Sequence, residues 1–321
     1  MATLPTIDVS ELVTPPSGEQ ADISPGLLEE IRTAFEEVGF AVIVGSAIPV
    51  AASHAIQRAS AQFFALPPEE KNVGLPKRWN PEAANRYRGY FPDDVAGKQG
   101  LDLGDPRLSK AEVERLAKPY YEINRLTGQL DAEWWAVIDA YFDAVTTLGT
   151  RLSAAMVEAL GGNPSKVEAS LARPLAQSTL RFNAYPEKDV ALDTQSSRPP
   201  LACEAHCDSG LLTLLHQDRG GGLQVRTRDA AWIDVPFVED ALIVNTGKAF
   251  ERLCAGHYRA TPHRVLETGR ARTSIPFFLE PRFDLPITPS SVGLNPLDDD
   301  APSYETFLTN TLQAFEEYID R

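Results

Sequence analysis

The 321-residue chain has few cysteines, an excess of acidic over basic charge and no long unbroken apolar stretch. Its three cysteines, Cys203, Cys207 and Cys254, are too few and too scattered to form a disulfide framework. Lysine and arginine total 30 against 45 acidic residues, a formal net charge of −15. Such a surface repels phosphate backbones, so nucleic acid is not an expected partner. No run approaches the roughly 18 apolar residues that a spanning helix needs, so no membrane partner is expected either. The start, MATLPTIDVSELVTPPSGEQ, lacks the basic opening and apolar centre of a secretory signal, which predicts a cytoplasmic protein. Internal repeats and low-complexity blocks are also missing.

What is there is ordinary globular material: 43% apolar and 23% charged residues, enough for a substantial core. The chain divides by texture. Residues 1–165 read as a mostly helical region and residues 166–321 as a mainly β domain, with the helices packed outside it. A short strand lies in IDVSEL. Ser24 and Pro25 suit an N-cap and first helical position, and FAVIV (40–44) has strand composition. A helix starts after Pro49 and stops at Pro67 and Pro68. The longest helix spans Asp131 to about Leu160, ending at Gly161 and Gly162, with a stripe from Trp135 through Ile138, Phe142, Val145, Leu152 and Met156.

Beyond residue 175 the period shortens. LRFNAY, GLLTLLHQ, GLQVR, AWIDV, ALIVN, HRVLE and SIPFFLE read as short strands of a sandwich or barrel. Two stretches, 72–110 and 187–200, show no strong periodicity and read as long loops, the first carrying Arg86, Tyr87 and Arg88 as candidate contacts for an acidic substrate.

The chemistry concentrates in AHCDSG. Alternation along a strand puts His206 and Asp208 on one face, with Glu204, while Cys203 and Cys207 point the other way. That parity argues against a cysteine-rich zinc site. Five histidines exist, and His263 opens a strand that could lie antiparallel beside the one bearing His206. Two imidazoles and one carboxylate leave coordination positions open, the pattern of non-haem iron(II) oxygenases, whereas structural zinc sites fill theirs. Arg272 and Ser274 share a face of a later strand and suit a carboxylate. Arg181, Asn183 and Tyr185 alternate along RFNAYP, where an amide and a phenol could bind or orient such a group.

HCDSGLLTLLHQDRGGGLQV, AWIDV, ALIVN, HRV and RTSIPFF together resemble the C-terminal half of the isopenicillin-N-synthase-like family of iron(II)/2-oxoglutarate dioxygenases. LPTIDVSEL, EEVGFAVIVGSAIP, FFALPPEEK and RYRGYFP resemble that family's N-terminal region. The resemblance implies a double-stranded β-helix, or jelly roll, flanked by helices: an α+β fold with a mainly β core. It implies Fe(II) on His206, Asp208 and His263, and 2-oxoglutarate on Arg272 and Ser274 with help from Tyr185 and Asn183. It also implies oxygen as the oxidant, ascorbate as a reductant in vitro, and release of succinate and carbon dioxide as a small molecule is hydroxylated, desaturated or cyclised.

The chain departs from plant members at Gly247-Lys248, where Gly-Asp is common, and in keeping only Pro186 after the tyrosine. Neither change touches the ligand set, but both weaken transfer of plant substrate preference. The alternatives are an oxidase of the isopenicillin N synthase type that needs no keto acid, a non-catalytic binder, and a zinc hydrolase with Glu204 as base. A monomer or weak homodimer is expected.

Overall fold

The computed structural model describes residues 3–13, 23–92, 97–126, 128, 130–188, 200–295 and 301–312. Its strands are β1 (Thr6–Asp8), β2 (Phe40–Val44), β3 (Gly89–Phe91), β4 (Gln99–Leu103), β5 (Thr179–Tyr185), β6 (Leu201–His206), β7 (Leu212–Gln217), β8 (Leu223–Arg226), β9 (Trp232–Asp234), β10 (Leu242–Thr246), β11 (His263–Leu266) and β12 (Arg272–Leu279). They form an eight-stranded sheet in the order β1-β2-β10-β7-β12-β5-β4-β3 and a four-stranded sheet in the order β6-β11-β8-β9. The two layers make the double-stranded β-helix.

Period-two alternation builds both faces of the large sheet. Leu180 and Phe182 of β5 and Ile275, Phe277 and Leu279 of β12 point outward and are fully buried. The helix Ala132–Ala159 covers them. Phe142 meets Phe277 edge to face at 4.9 Å, and Trp134 meets Phe182 at 6.5 Å. Asp131 caps this helix by accepting from Trp134 N at 2.9 Å. Gly149 lets it approach closely, since a Cβ there would lie 3.0 Å from Leu279 and 3.1 Å from Leu214. The inner faces of both sheets enclose a second apolar cluster that includes Phe40, Val42, Leu223, Val225, Ile243 and Val265.

The first half of the chain contributes more than helices. β1 and β2 extend one edge of the large sheet, β2 pairing antiparallel with β10, and β3 and β4 build the other edge beyond β5. Ser24 caps the helix Pro25–Glu37 as its sequence predicts, accepting from Leu27 N at 3.3 Å. The helix Val50–Ala65 packs on the long helix, where Trp134 Nε1 donates to Ala59 O at 3.0 Å. Two sequence expectations are corrected. The stretch 72–110 is not a bare loop, because it holds β3 and β4. The buried tryptophan of the long helix is Trp134, and Trp135 is half-buried. Of the loop expected at 187–200, residues 189–199 lie outside the described residues, as does the chain after Leu312.

The helix Tyr304–Leu312 docks through backbone contacts, Tyr304 N to Leu285 O at 2.8 Å and Glu305 N to Phe283 O at 3.1 Å, and through a buried side-chain contact. Tyr304 Oη donates to Glu280 Oε1 at 2.7 Å, while Glu280 Oε2 is buried without a hydrogen-bond partner. Burial pushes the Glu280 carboxyl up to about 7, against the opposing pull of the Tyr304 hydroxyl and of Arg88. The unfolded chain releases that proton near 4.5, so between these values the folded state holds more protons. The Glu280 contribution is therefore complete below about pH 4.5 and is lost as pH rises through about 7, by roughly 3 kcal/mol at ~1.4 kcal/mol per unit. Glu280→Gln keeps the acceptor for Tyr304 and should flatten this loss. Urea unfolding of both proteins at pH 5 and pH 8 measures it, and the wild type should lose more stability than the variant.

Candidate active site

β6 ends on His206 and β11 begins on His263, and antiparallel pairing sets these two residues directly opposite each other. Their ring centroids are 4.3 Å apart. The turn after β6 brings in Asp208, whose Oδ1 lies 3.7 Å from Nε2 of each histidine. One ligand atom from each of the three falls within 4.8 Å of the others.

The partners of these groups fix their chemistry. His206 Nδ1 lies 2.8 Å from Glu204 O and His263 Nδ1 lies 3.2 Å from Thr261 O. A ring that donates through Nδ1 can present Nε2 as a lone pair, and in both imidazoles Nε2 is the nitrogen that faces Asp208. Asp208 Oδ2 accepts from Thr213 Oγ1 at 2.5 Å and from Asn245 Nδ2 at 2.8 Å, leaving Oδ1 toward the histidines. The turn itself is docked by backbone: Lys248 N donates to Asp208 O at 2.9 Å, and Gly247 N to Leu211 O at 2.8 Å. A Cβ at Gly247 would overlap the Gly210 backbone, so glycine is needed for this approach.

A second polar cluster lies on the inner face of the large sheet. Arg272 pairs in register with Tyr185, and Ser274 with Asn183. The Arg272 guanidinium sits 4.4 Å from the Tyr185 ring centroid and donates through Nη1 to Gly221 O at 2.7 Å. Asn183 Nδ2 donates to Ser274 Oγ at 3.1 Å. Arg272 Nε and Asn183 Oδ1 are buried with no hydrogen-bond partner. An unsatisfied buried polar atom costs about 1–3 kcal/mol, so a buried arginine donor left without a partner suits an acceptor supplied by a ligand.

Residues 176–281 match the 2OG-Fe(II) oxygenase superfamily, and residues 4–119 match the N-terminal region of non-haem dioxygenases, described for morphine synthesis. The chain is 30% identical over 320 residues to the 2-oxoglutarate-dependent dioxygenase citB of Monascus ruber, covering 94% of this chain and 92% of that protein. The chain belongs to the 2OG-Fe(II) oxygenases. A 2-oxoglutarate-Fe(II) type oxidoreductase of Emericella nidulans, hxnY, is 33% identical over 78% of this chain and 73% of its own length. Among solved structures, a full-length Neurospora crassa protein in complex with alpha-KG aligns with a TM-score of 0.75 at 23% identity, covering 96% and 95% of the two chains. An oxygenase family protein from Caulobacter crescentus aligns with a TM-score of 0.76 at 21% identity over 98% and 99%. These likenesses agree with the fold. The protein is an iron(II)- and 2-oxoglutarate-dependent dioxygenase.

The donor set of this oxygenase suits iron. Two imidazoles and a carboxylate form the facial arrangement of non-haem iron(II) sites. Burial opposes charge on Asp208, but His263 and His206, with Asn245 and Thr213, hold its carboxyl below the usual range, so it is ionised. Burial and the neighbouring His206 keep His263 neutral, the form that ligates. Burial also opposes charge on His206, but Cys203, Asp208 and the Glu204 carbonyl push its imidazole up to about 9, so a metal binding there displaces a proton.

Other sequence candidates fall elsewhere. The oxygenase does not bring Arg86, Tyr87 or Arg88 to the His-Asp cluster. Arg86 is exposed, and the backbone N–H groups of all three donate to the Glu122 carboxylate. The Arg88 side chain is buried and spent on Thr179 Oγ1 and on the carbonyls of Gln177 and Ser178. Glu204 is exposed. Cys203 is not turned away from its histidine: its Sγ lies 3.7 Å from His206 Nδ1, because the pairing of β6 with β11 is irregular between His263 and Val265. His216 is on the outer face of β7 against Gln57, and His257 is near Glu36. Sequence reasoning missed Thr213, Asn245 and Gly221.

His206→Ala should abolish Fe(II) binding. Asn245→Ala should weaken it by about 10- to 100-fold, the usual effect of losing a partner that orients a ligand. Anaerobic equilibrium dialysis with Fe(II) separates these from the wild type, and equal affinity in all three would exclude the assigned ligand set.

Proposed function

We propose that His206, Asp208 and His263 hold the iron, and that Arg272, Ser274, Tyr185 and Asn183 hold 2-oxoglutarate. The observation that carries this reading is the buried, unpartnered donor Arg272 Nε, on the strand face that it shares with Ser274 and, across the pairing, with Tyr185 and Asn183. Arg272 supplies a fixed fork for the distal carboxylate and Tyr185 supports its plane. Asp218 keeps the arginine in place, since its Oδ2 accepts from Thr273 N at 2.5 Å and its Oδ1 from Gly220 N at 2.8 Å. Ser274 adds a hydroxyl beside Asn183.

When bound, iron supplies the oxygen chemistry that decarboxylates the keto acid to succinate and oxidises the substrate. The chain supplies position and exclusion of water. Two neutral imidazoles and one carboxylate leave a ferrous site at a net charge of about +1, which favours an anionic bidentate ligand. Leu223, Val225 and Val265, buried between the sheets, support a dry interior.

The substrate is a small molecule that is hydroxylated, desaturated or cyclised. Of the division at 165, residues 166–321 read as the catalytic β domain, and residues 1–165 as a part that supplies flanking helices and the edge strands β1–β4 of its large sheet. Among the described residues no helix is long and apolar enough to cross a membrane. Succinate formed in step with product tests this reading, and product without succinate would overturn it.

Arg272→Ala should raise the 2-oxoglutarate requirement by about 10- to 100-fold, since a charged hydrogen-bonded pair is worth about 1.5–3 kcal/mol. Succinate formation measured against keto-acid concentration checks this. An unchanged requirement would remove Arg272 from the role.

A further inference from the structure

We propose that a cavity beyond the end of β7 is an effector site for a small organic cation with a guanidinium group, held by Phe237 and Glu239, and that filling it tightens 2-oxoglutarate binding. The coupling rests on the reading that Arg272 holds the keto acid.

The cavity has a volume of about 440 Å³. Three segments bound it: the first half of the helix Val50–Ala65, with His54 and Gln57; the end of β7, with His216 and the turn that follows; and residues 237–241, which lead into β10. Sites for small molecules begin at about 300 Å³, so the volume suffices. The place is distinct from the His-Asp cluster. Thr213, which holds Asp208, and Gln217, which lines the cavity, stand at opposite ends of β7, roughly 13 Å apart at the usual strand rise.

The lining selects for charge. Asp218, Glu239 and Asp240 bring carboxylates to it, against the single guanidinium of Arg219. Burial, with His54 nearby, holds the His216 imidazole below its usual range against the pull of Asp240 and Asp218, so that ring is neutral. Negative charge is in excess, which favours a cation. A bare metal ion does not fit. Among the described residues the one group of three metal-ligating side chains within reach of a common ion is His206, Asp208 and His263.

The chain itself shows how a guanidinium is held there. That of Arg219 lies 4.9 Å from the Phe237 ring centroid and donates through Nη2 to Glu239 Oε1 at 2.9 Å. An aromatic face with a carboxylate at its edge suits a flat, delocalised cation. The Arg219 and Glu239 side chains keep 72% and 71% of their surface, so water screens their contact and it is weak. A ligand guanidinium can therefore displace Arg219 and extend its other end into the cavity, toward Asp240.

The floor of the cavity is also the support of Arg272. Asp218 and Gly220 line it. Asp218 Oδ2 accepts from Thr273 N at 2.5 Å and Oδ1 from Gly220 N at 2.8 Å, while Gly221 O accepts from Arg272 Nη1 at 2.7 Å. Gly221 and Gly222 continue the turn at φ of +67° and +90°. Glycine loses more backbone freedom on ordering than any other residue. A ligand resting on Asp218 and Gly220 fixes this turn in advance, and the keto acid then binds an arginine that is already set.

The test uses the full chain loaded with Fe(II) under anaerobic conditions, titrated calorimetrically with agmatine, putrescine and 4-guanidinobutanoate. Putrescine lacks the flat cation and 4-guanidinobutanoate adds a carboxylate, so agmatine should bind at least about threefold more tightly than either. Phe237→Leu and Glu239→Gln should each weaken agmatine by about threefold or more. Arg219→Ala removes the resident guanidinium and should strengthen agmatine by about threefold, a gain that damage to folding does not produce. Saturating agmatine should lower the 2-oxoglutarate Kd of the wild type by about fivefold, the low end for coupled sites. Absent or equal binding of the three probes overturns the proposal. So does an agmatine affinity that Arg219→Ala fails to raise or that the other two variants fail to lower, and so does a 2-oxoglutarate Kd that agmatine leaves unchanged or raises. Failure of the wild type to bind 2-oxoglutarate, or of Arg272→Ala to weaken it, refutes instead the reading on which the coupling rests.

Discussion

Two imidazoles, set opposite each other by a single antiparallel register, share one buried carboxylate, and the interior of this oxygenase is arranged around that contact. His206 and His263 belong to the small sheet, whereas Asp208 is held by Thr213 and Asn245 of the large one. The proposed iron site therefore joins the two layers of the fold. A slip of one residue between β6 and β11 would turn a histidine to the opposite face and separate it from Asp208. Gly247 matters for the same reason, since a Cβ there would overlap the Gly210 backbone and hold the turn bearing Asp208 off the start of the helix Lys248–Leu253.

The large sheet solves two problems with one alternation. Outward positions are apolar and bury against the long helix, as Phe182, Phe277 and Leu279 do. Inward positions carry Arg272, Ser274, Asn183, Tyr185 and Arg181, a density of polar groups that an ordinary core would not tolerate. Most find partners inside the protein. Of the two exceptions, Arg272 Nε is a buried donor that the proposed keto acid would complete, whereas Asn183 Oδ1 is an acceptor that needs a donor. Stability is given up locally at the place where binding recovers it.

The sequence makes this site unusually legible, for simple reasons. Histidines are rare in the chain, and His206, Asp208, Arg272 and Ser274 sit on or beside strands where parity predicts which side chains point together. Asn245 and Thr213 were not legible, because each looks like a polar residue closing or interrupting an apolar strand. β3 and β4 escaped notice because Gly89 and Gly100 occupy inner positions and erase the alternation. Tyr87 and Arg88 looked like loop residues open to substrate. Their burial depends on Glu122, Thr179 and the carbonyls of Gln177 and Ser178, all distant in sequence. The long helix was found, but its buried face was set one residue out of phase at Trp134 and Trp135, an error that helical periodicity alone does not prevent.

The central claim is that three side chains from separate segments converge on one ferrous ion beside an arginine-anchored keto acid. An anaerobic crystal structure with Fe(II) and 2-oxoglutarate tests it most directly. The account predicts metal density bonded to His206 Nε2, His263 Nε2 and an Asp208 oxygen, with the distal carboxylate of the keto acid on Arg272. Metal bound elsewhere, or these three groups turned apart with nothing between them, would contradict it.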